Sequence, residues 1–210
     1  MMAPSGPAVV TALDGPSVDG PLYTRITALA GRAPGWLDSL VSGWSTYGLA
    51  LFGLLMAAAW WRARSRPGRP ERTAMALAAP AVVVTAFLAD TLLKSLIREQ
   101  RPCRTLHALT LEACPPPGDW SFPSNHAAIA AAAATALWLT DRRLGALAAP
   151  AALLMAFSRV WVGAHYPHDV VLGVLVGAAV AWPLTLLARR GAPVVERLRG
   201  TPLGPLVAPR

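Results

Sequence analysis

The chain has few charged residues and very little lysine. Asp, Glu, Lys and Arg together make up 14% of its 210 residues, whereas 54% are hydrophobic and the mean hydropathy is +0.44. This balance excludes an ordinary soluble domain of the same size and indicates that a bilayer is the solvent. Lys94 is the single lysine against 18 arginines, so a compact ammonium group stands at one position only.

Hydrophobic runs of about 18 or more residues with few charges are candidate transmembrane helices. The sequence predicts five, at about 41–61, 74–96, 125–140, 144–162 and 170–187. The third is short and rich in alanine, which favours a position between other helices rather than against lipid. We also expect an N-terminal amphipathic helix in the membrane interface at 23–40, where Leu, Ile and Trp alternate with Arg and Asp. The predicted fold is an all-α integral membrane bundle.

Three regions follow from this pattern of hydrophobic segments. We expect a disordered N-terminus at 1–21, a membrane domain at 22–190 and a cytoplasmic C-terminal tail at 191–210. Both ends of the chain are rich in proline and glycine, which is the reason for predicting little structure there.

The arginines predict the orientation. They cluster after the first, third and fifth predicted helices, and positively charged loops remain on the cytoplasmic side. The N-terminus, the loop at 98–124 and the short loop around His165 are then extracytoplasmic, in a cell inner membrane or plasma membrane. Because membrane topology accounts for the net charge of +8, we expect no nucleic-acid partner.

The chain has only two cysteines, Cys103 and Cys114, and both fall in the loop predicted to be extracytoplasmic. An oxidising compartment permits a bond between them, so we expect a disulfide that closes this loop. The alternative is a pair of free thiols in a flexible segment.

Three short polar blocks stand at the ends of the hydrophobic segments. They read KSLIREQRP at 94–102, PSNH at 123–126 and SRVWVGAHYPHD at 158–169. Lys94 and Arg101 lie two turns apart on a continued helix, so both can face one anion, for which phosphate is the expected candidate. The alternative is that Lys94 reaches to the surface and Arg101 belongs to a solvated loop.

The second and third blocks contain groups suited to phosphate chemistry. Ser124 and Asn125 begin a helix, whose backbone N–H groups can point at an anion, although serine is also a common N-cap residue. His126 is either a core histidine with a satisfied ring or a proton donor to a leaving oxygen. His165 and Asp169 are spaced i, i+4, so the carboxylate can orient the ring while the other nitrogen attacks.

Arg159 lies six residues before His165, at the outer end of the fourth predicted helix. An unpaired charge is costly at that depth unless it meets an anion, and a guanidinium suits the oxygens of a transferring phosphoryl group. The alternative is that His165 and Asp169 cap the fifth helix and that Arg159 is their salt-bridge partner.

Together the three blocks resemble the signature of the type 2 phosphatidic acid phosphatase family, over about residues 23–187. The resemblance implies that His165 attacks phosphorus and forms a phosphohistidine, that His126 is the general acid and that Asp169 holds the nucleophile. It implies phosphate binding by five residues, namely Lys94, Arg101, Ser124, Asn125 and Arg159. It implies no metal and no cofactor, because fixed cations neutralise the charge of the phosphoryl group.

The chain departs from this family at Asn125, where the family usually has glycine. Asparagine tolerates a left-handed backbone better than most residues, so we expect activity to persist. Asn125 and the stretch LYTRITALAGRAPGWLD at 22–38 are similar to the subgroup that acts on undecaprenyl diphosphate.

We therefore expect a metal-independent lipid phosphatase that converts undecaprenyl or another polyprenyl diphosphate to the monophosphate. Phosphatidic acid, phosphatidylglycerol phosphate and polyprenyl phosphosugars are alternative substrates with the same chemistry. The expected partners are the substrate lipid and the bilayer. A non-catalytic lipid-binding or transport protein is an alternative of another class, and a vanadate-dependent haloperoxidase is disfavoured because those enzymes are soluble.

Two further polar residues lie beside the blocks. We expect Asp90, one turn before Lys94, to pair with Lys94 or with a neighbouring helix. We expect His168 to support Asp169 from outside the reacting groups, because it matches no family position.

Overall fold

The computed structural model describes residues 14–66, 68–106 and 110–208, and these ranges contain helices but no strand. The helices are α1 (Gly15–Ala30), α2 (Gly35–Tyr47), α3 (Leu49–Arg64), α4 (Pro70–Ile97), α5 (Pro102–Thr105), α6 (Asn125–Thr140), α7 (Arg142–Trp161), α8 (Pro167–Ala188), α9 (Ala192–Leu198) and α10 (Gly204–Val207). A 3-10 turn at Arg189–Gly191 joins α8 to α9. The all-α fold expected from the sequence is confirmed.

Three segments of the described chain are long and apolar enough to cross a membrane, namely Pro70–Thr105, Arg142–Trp161 and Pro167–Leu198. Helices α2 and α3 together form a fourth candidate, bent by 52°. The first predicted transmembrane helix, at 41–61, runs across this bend. The protein is therefore an integral membrane protein, and its described residues contain three candidate spans and one bent candidate.

The bend between α2 and α3 lies at Gly48, where another helix comes close. A Cβ atom added at this position would lie 2.8 Å from the terminal methyl group of Met155 on α7. The absence of a side chain at Gly48 thus lets α7 approach the junction. A continuous apolar run could not reveal this contact, because it depends on a residue more than a hundred positions away.

Helix α6 has 16 residues, which is short for a span of its own, and it occupies the centre of the bundle. Ten of its residues are buried, most of them alanines, and it packs against α4, α7 and α8. Small side chains let helix backbones approach closely inside a membrane. The predicted placement of this helix inside the bundle is therefore confirmed.

The tightest helix contact lies between α6 and α8. A Cβ atom on Gly173 would lie 2.5 Å from the carbonyl oxygen of Ser124, and one on Gly177 would collide with the carbonyl oxygen of Ala128. Side chains at these two positions would push the helices apart. The beginnings of α6 and α8, which carry the second and third polar blocks, are held together by this contact.

The N-terminal segment differs from the single helix expected at 23–40. It is divided into α1 and α2 by a break at 31–34, and Pro34 precedes the first residue of α2. Proline disfavours a helical conformation in the residue before it, which accounts for the break. Tyr23 on α1 is fully buried, and its hydroxyl donates a hydrogen bond to the carbonyl oxygen of Gly163 at 3.0 Å.

The predicted terminal regions contain more helix than expected. Residues 1–13 lie outside the described residues, but α1 begins at Gly15, so residues 15–21 belong to a helix, kinked at Asp19, rather than to a disordered segment. In the tail predicted at 191–210, Val195 and Val207 pack against Ala74 of α4. The chain after α8 therefore returns to the bundle.

Replacement of Gly177 by alanine should destabilise the bundle, because the added methyl group collides with the backbone of α6. We expect the free energy of unfolding in detergent to fall by about 1–3 kcal/mol, as is usual for overpacking. Gly53→Ala in α3 is the matched control, since nothing lies within 4 Å of its added Cβ. Equal thermal stability of the two variants would contradict the proposed contact.

Candidate active site

The centre of the site is the buried ring of His165, in the short loop between α7 and α8. Its Nδ1 lies 3.3 Å from Oδ2 of Asp169, and its Nε2 lies 3.3 Å from Nη1 of Arg101. A guanidinium can only donate, so Nε2 must accept, and the ring proton is assigned to Nδ1, facing the carboxylate. This assignment gives a neutral imidazole with the lone pair on Nε2 pointing toward Arg101.

The surroundings of His165 favour the same neutral state. Burial lowers the pKa of His165 well below its usual value, and the positive charges of Arg101, Lys94 and Arg159 lower it further. A neutral imidazole is the form that can act as a nucleophile.

Asp169 is fixed by two hydrogen bonds besides its contact with His165. Its Oδ2 accepts from the hydroxyl of Ser121 at 2.5 Å and from the backbone N–H of Tyr166 at 2.8 Å. The second bond belongs to a capping box at the start of α8. Ser121 was not predicted from the sequence, because it lies outside the PSNH block and nothing in its local pattern marks it.

Arg101 is anchored to two parts of the chain. Its Nη1 donates to the carbonyl oxygen of Ala164 at 2.9 Å, and its Nη2 forms a salt bridge with Asp119 at 2.8 Å. The residue is buried and occupies the N-cap position of the short helix α5, where its side chain makes no capping bond. These bonds hold one guanidinium edge against the nucleophile, whereas the sequence predicted only that Arg101 faces an anion.

Arg159 is also paired with a carboxylate. Its Nη1 lies 3.1 Å from both carboxylate oxygens of Glu112 and donates to the hydroxyl of Ser45 on α2. The buried Nε of Arg159 has no hydrogen-bond partner among the described residues. Glu112 and Ser45 were missed from the sequence, because neither belongs to a recognisable motif.

The remaining predicted phosphate ligands lack such partners. Lys94 is 8% exposed and makes no hydrogen bond or salt bridge within the described part of the chain. Ser124 occupies the N-cap position of α6, but its side chain makes no capping bond and its buried Oγ has no partner in the described ranges. The common role of serine as a helix cap is thus not realised here.

Two further residues at the start of α6 are only partly buried, Asn125 and His126. Neither side chain has a hydrogen-bond partner in the part of the chain that the structure describes. The ring of His126 lies in the field of Lys94, Arg101 and Arg159, which also act on His165. The three blocks are therefore brought together around His165, as the sequence predicted.

Asp90 does not form the direct pair expected from the sequence, although its charge still interacts with that of Lys94. Asp90 is fully buried on α4, and neither carboxylate oxygen has a hydrogen-bond partner or a salt bridge among the described residues. One turn of helix places it near Lys94 in sequence, but their charged groups do not meet. The ammonium group of Lys94 is consequently available to bind an anion in the site.

His168 lies behind the reacting pair and contacts several acidic residues. Its Nδ1 is 2.9 Å from Asp19 on α1, and its Nε2 is 3.1 Å from Glu99 and 3.5 Å from Oδ1 of Asp169. Glu99, His168 and Asp169 are close enough to hold a metal ion, with potential ligand atoms within 4.8 Å of one another. Each ring nitrogen of His168 already faces a carboxylate oxygen. If both nitrogens carry a proton, their N–H groups can donate to these oxygens, and the acidic residues need no ion between them.

The two cysteines are bonded to each other in the structure. The bond joins Cys103, within α5, to Cys114, and the enclosed segment carries Glu112. Since Glu112 contacts Arg159, the closed loop places an acidic side chain on a predicted phosphate ligand.

The neutral state of His165 can be measured directly. In protein labelled with ¹⁵N-histidine, we expect its ring to stay neutral with the proton on Nδ1 as the pH falls to 6.5, because its pKa is lowered by burial and by nearby cations. The His165→Gln variant identifies its signals among those of the four histidines. Titration at or above pH 6.5, or a proton on Nε2, would contradict the assigned geometry.

The region that contains the three polar blocks is similar to a known protein family. The PAP2 superfamily profile matches residues 73–191. Decaprenylphosphoryl-5-phosphoribose phosphatase of Mycobacterium tuberculosis is 40% identical over 113 residues, which are 53% of this chain and 60% of that protein. Undecaprenyl-diphosphatase BcrC of Bacillus subtilis is 32% identical over 146 residues, which are 69% of this chain and 70% of that protein. The chain therefore covers less than two thirds of the length of the decaprenylphosphoryl-5-phosphoribose phosphatase.

Two solved structures share the fold. LpxE of Aquifex aeolicus is 24% identical, with a TM-score of 0.58 over 84% of this chain and 99% of that one. A PAP2 type phosphatidylglycerolphosphate phosphatase from Bacillus subtilis is 22% identical, with a TM-score of 0.53 over 86% and 89%. Because the matched region 73–191 exceeds half of the chain and contains all three polar blocks, the chain belongs to the PAP2 superfamily.

Proposed function

We propose that the protein is a metal-independent lipid phosphatase that hydrolyses a polyprenyl diphosphate to the monophosphate. The observation that carries this proposal is the arrangement at His165, with a carboxylate on Nδ1 and, on Nε2, a lone pair that faces Arg101 in the resting site. A nucleophile oriented by a third group is the pattern expected for covalent catalysis.

In the first step, Nε2 of His165 attacks the terminal phosphorus of the lipid, and the bond from phosphorus to the bridging oxygen breaks. The imidazole becomes a phosphohistidine and keeps its proton on Nδ1. Asp169 stabilises the positive charge that develops on the ring. Because Arg101 occupies the position next to Nε2 in the resting site, it must turn toward the phosphate oxygens as the substrate enters.

Fixed cations supply the electrostatic part of catalysis. Arg101, Arg159 and Lys94 neutralise the equatorial oxygens of the transferring phosphoryl group, and the hydroxyl of Ser124 adds an uncharged donor. The two arginines are paired with carboxylates in the resting site, so the phosphate replaces or shares these partners. A terminal phosphate with two negative charges competes better for them than a phosphodiester with one.

His126 provides the proton for the leaving oxygen. Burial and the positive charges of three nearby cations disfavour the protonated ring in the resting site. The negative charge of the bound substrate opposes both effects, so we propose that His126 takes up its proton as the substrate binds. After the polyprenyl phosphate leaves, His126 accepts a proton from the water that attacks the phosphohistidine. Orthophosphate is released and His165 returns to its neutral form.

The similarity to undecaprenyl-diphosphatase BcrC supports a diphosphate substrate. The similarity to decaprenylphosphoryl-5-phosphoribose phosphatase favours a second candidate, a phosphorylated polyprenyl phosphosugar. Both substrates offer a terminal phosphate on a long prenyl chain. The apolar outer faces of the bundle suit such a chain, since it can stay in the bilayer while the head group reaches His165.

We expect His165→Asn to lower kcat by about 10³-fold or more, because it removes the nucleophile. Arg101→Gln should also lower kcat/KM strongly. Arg98→Gln is its matched control, because Arg98 is exposed, three residues earlier, and bonded only to the backbone of Ser95. Phosphate release from undecaprenyl diphosphate, decaprenylphosphoryl-5-phosphoribose, phosphatidic acid and phosphatidylglycerol phosphate should be measured side by side.

Activity should persist in excess EDTA and be inhibited by vanadate, which mimics the phosphoryl transition state. Loss of activity in EDTA, restored by a divalent cation, would overturn the metal-independent mechanism and direct attention to Glu99 and His168. Equal loss in Arg98→Gln and Arg101→Gln would overturn the role given to Arg101.

We further propose that the site is extracytoplasmic and that the link between α3 and α4 is cytoplasmic. In intact cells, a membrane-impermeant thiol reagent should label Pro117→Cys, at an exposed position near the site, but not Gly68→Cys. The native chain is the control, because its two cysteines are bonded and should not react. The reverse labelling pattern would place the chemistry in the cytoplasm.

A further inference from the structure

A second polar cavity lies at the end of the bundle opposite His165. Helices α4 and α7 begin there, and helices α6 and α8 end there, whereas their other ends form the active site. Helix α8 alone spans about 33 Å at 1.5 Å per residue, so the two sites are separated by the thickness of the membrane. The cavity has a volume of about 540 Å³, within the range of ligand sites.

The lining of this cavity is strongly basic and partly aromatic. It contains four arginines and one glutamate, together with two tryptophans: Arg69, Arg72, Arg142, Arg189, Glu71, Trp138 and Trp182. The tryptophans are 42% and 53% exposed, as is typical of side chains at a membrane interface. Four guanidinium groups against one carboxylate leave the cavity with a net positive charge.

These arginines lack a carboxylate partner at salt-bridge distance in the part of the chain that the structure describes. None of the four forms a salt bridge with any residue in the described ranges. Arg189 donates only through Nε, to the sulfur of Met75 at 3.4 Å, and a thioether is a weak acceptor. Helix α4 begins at the same cavity without a side-chain cap. By contrast, the nearby Arg62 is bound to Asp141 at 2.8 Å.

We propose that this cavity binds the phosphate group of an anionic glycerophospholipid. A guanidinium binds phosphate oxygens with two parallel hydrogen bonds, and basic pockets between transmembrane helices suit anionic head groups. The adjacent tryptophans would lie against the glycerol and upper acyl region of the same lipid. The general rule that arginines mark the cytoplasmic side explains why arginines are numerous at this end of the bundle. It does not explain why four of them line the same cavity.

Neighbouring arginines provide a charge-matched test. Arg142 and Arg189 line the cavity, whereas Arg143 and Arg190, next to them in sequence, do not. The double variant Arg142→Gln/Arg189→Gln and the control Arg143→Gln/Arg190→Gln lose the same charge at the same helix ends. All four side chains are exposed, so both variants should fold.

Binding should be measured on the whole purified protein in uncharged detergent, by native mass spectrometry and by the rise in melting temperature. The probes are phosphatidylglycerol, phosphatidylcholine and inorganic phosphate. Phosphatidylglycerol is a phosphodiester without a terminal phosphate, so its binding does not depend on the phosphatase chemistry proposed for His165. We expect saturable binding of phosphatidylglycerol, weaker binding of phosphatidylcholine and no comparable effect of inorganic phosphate.

The cavity variant should bind phosphatidylglycerol about tenfold more weakly or worse, whereas the control should change less than twofold. Equal losses in the two double variants would mean attraction by diffuse surface charge and would overturn the proposal. Saturation by inorganic phosphate alone would indicate a free anion site instead of a lipid site. The absence of any preference for phosphatidylglycerol in the native protein would also overturn the proposal.

Discussion

The two hydrogen bonds of the His165 ring are the constraint on which the site depends. A guanidinium on one nitrogen can only donate and a carboxylate on the other can only accept, so the ring has one compatible orientation and one tautomer. To meet these partners, the segment after α4, which carries Arg101, must contact the beginning of α8, which carries Asp169. Ser121 connects the same carboxylate to the loop before α6. The ring proposed as the nucleophile is therefore oriented by the protein itself, in the resting site.

Packing of the apolar helices brings the polar blocks together, and acidic residues in the loops offset the free-energy cost of burying their cations. Close contact of α6 with α8 at Gly173 aligns two polar blocks, and three cationic side chains then gather with the rings of His126 and His165 at one end of the bundle. Burying such charges is costly unless anions accompany them. Glu112 and Asp119 supply these anions in the resting state. In the proposed mechanism a substrate phosphate replaces or shares these partners, which favours head groups with a doubly charged terminal phosphate.

The sequence predicted the helices well where long apolar runs end at polar residues, as for α6, whose bounds at 125–140 were given correctly. It failed where the deciding contact comes from a distant part of the chain. The junction at Gly48 packs against Met155 of α7, and the pairing of Arg159 depends on a glutamate in a loop without a motif. The break before Pro34 is different, because the proline itself could have indicated it. Motifs therefore marked the residues that gather around His165, but not Ser121, Glu112 and Asp119, which hold them.

The two ends of the bundle differ in how their arginines are balanced. At the proposed catalytic end, Arg101 and Arg159 each have a carboxylate partner, so an anion must compete for them. At the opposite end, Arg142 and Arg189 have no such partner in the described chain. A site that must release its product gains from competing carboxylates, because they weaken the hold on phosphate. A site for a structural lipid has no turnover to support, so unpaired guanidinium groups suit it, and abundant membrane phosphates can satisfy them.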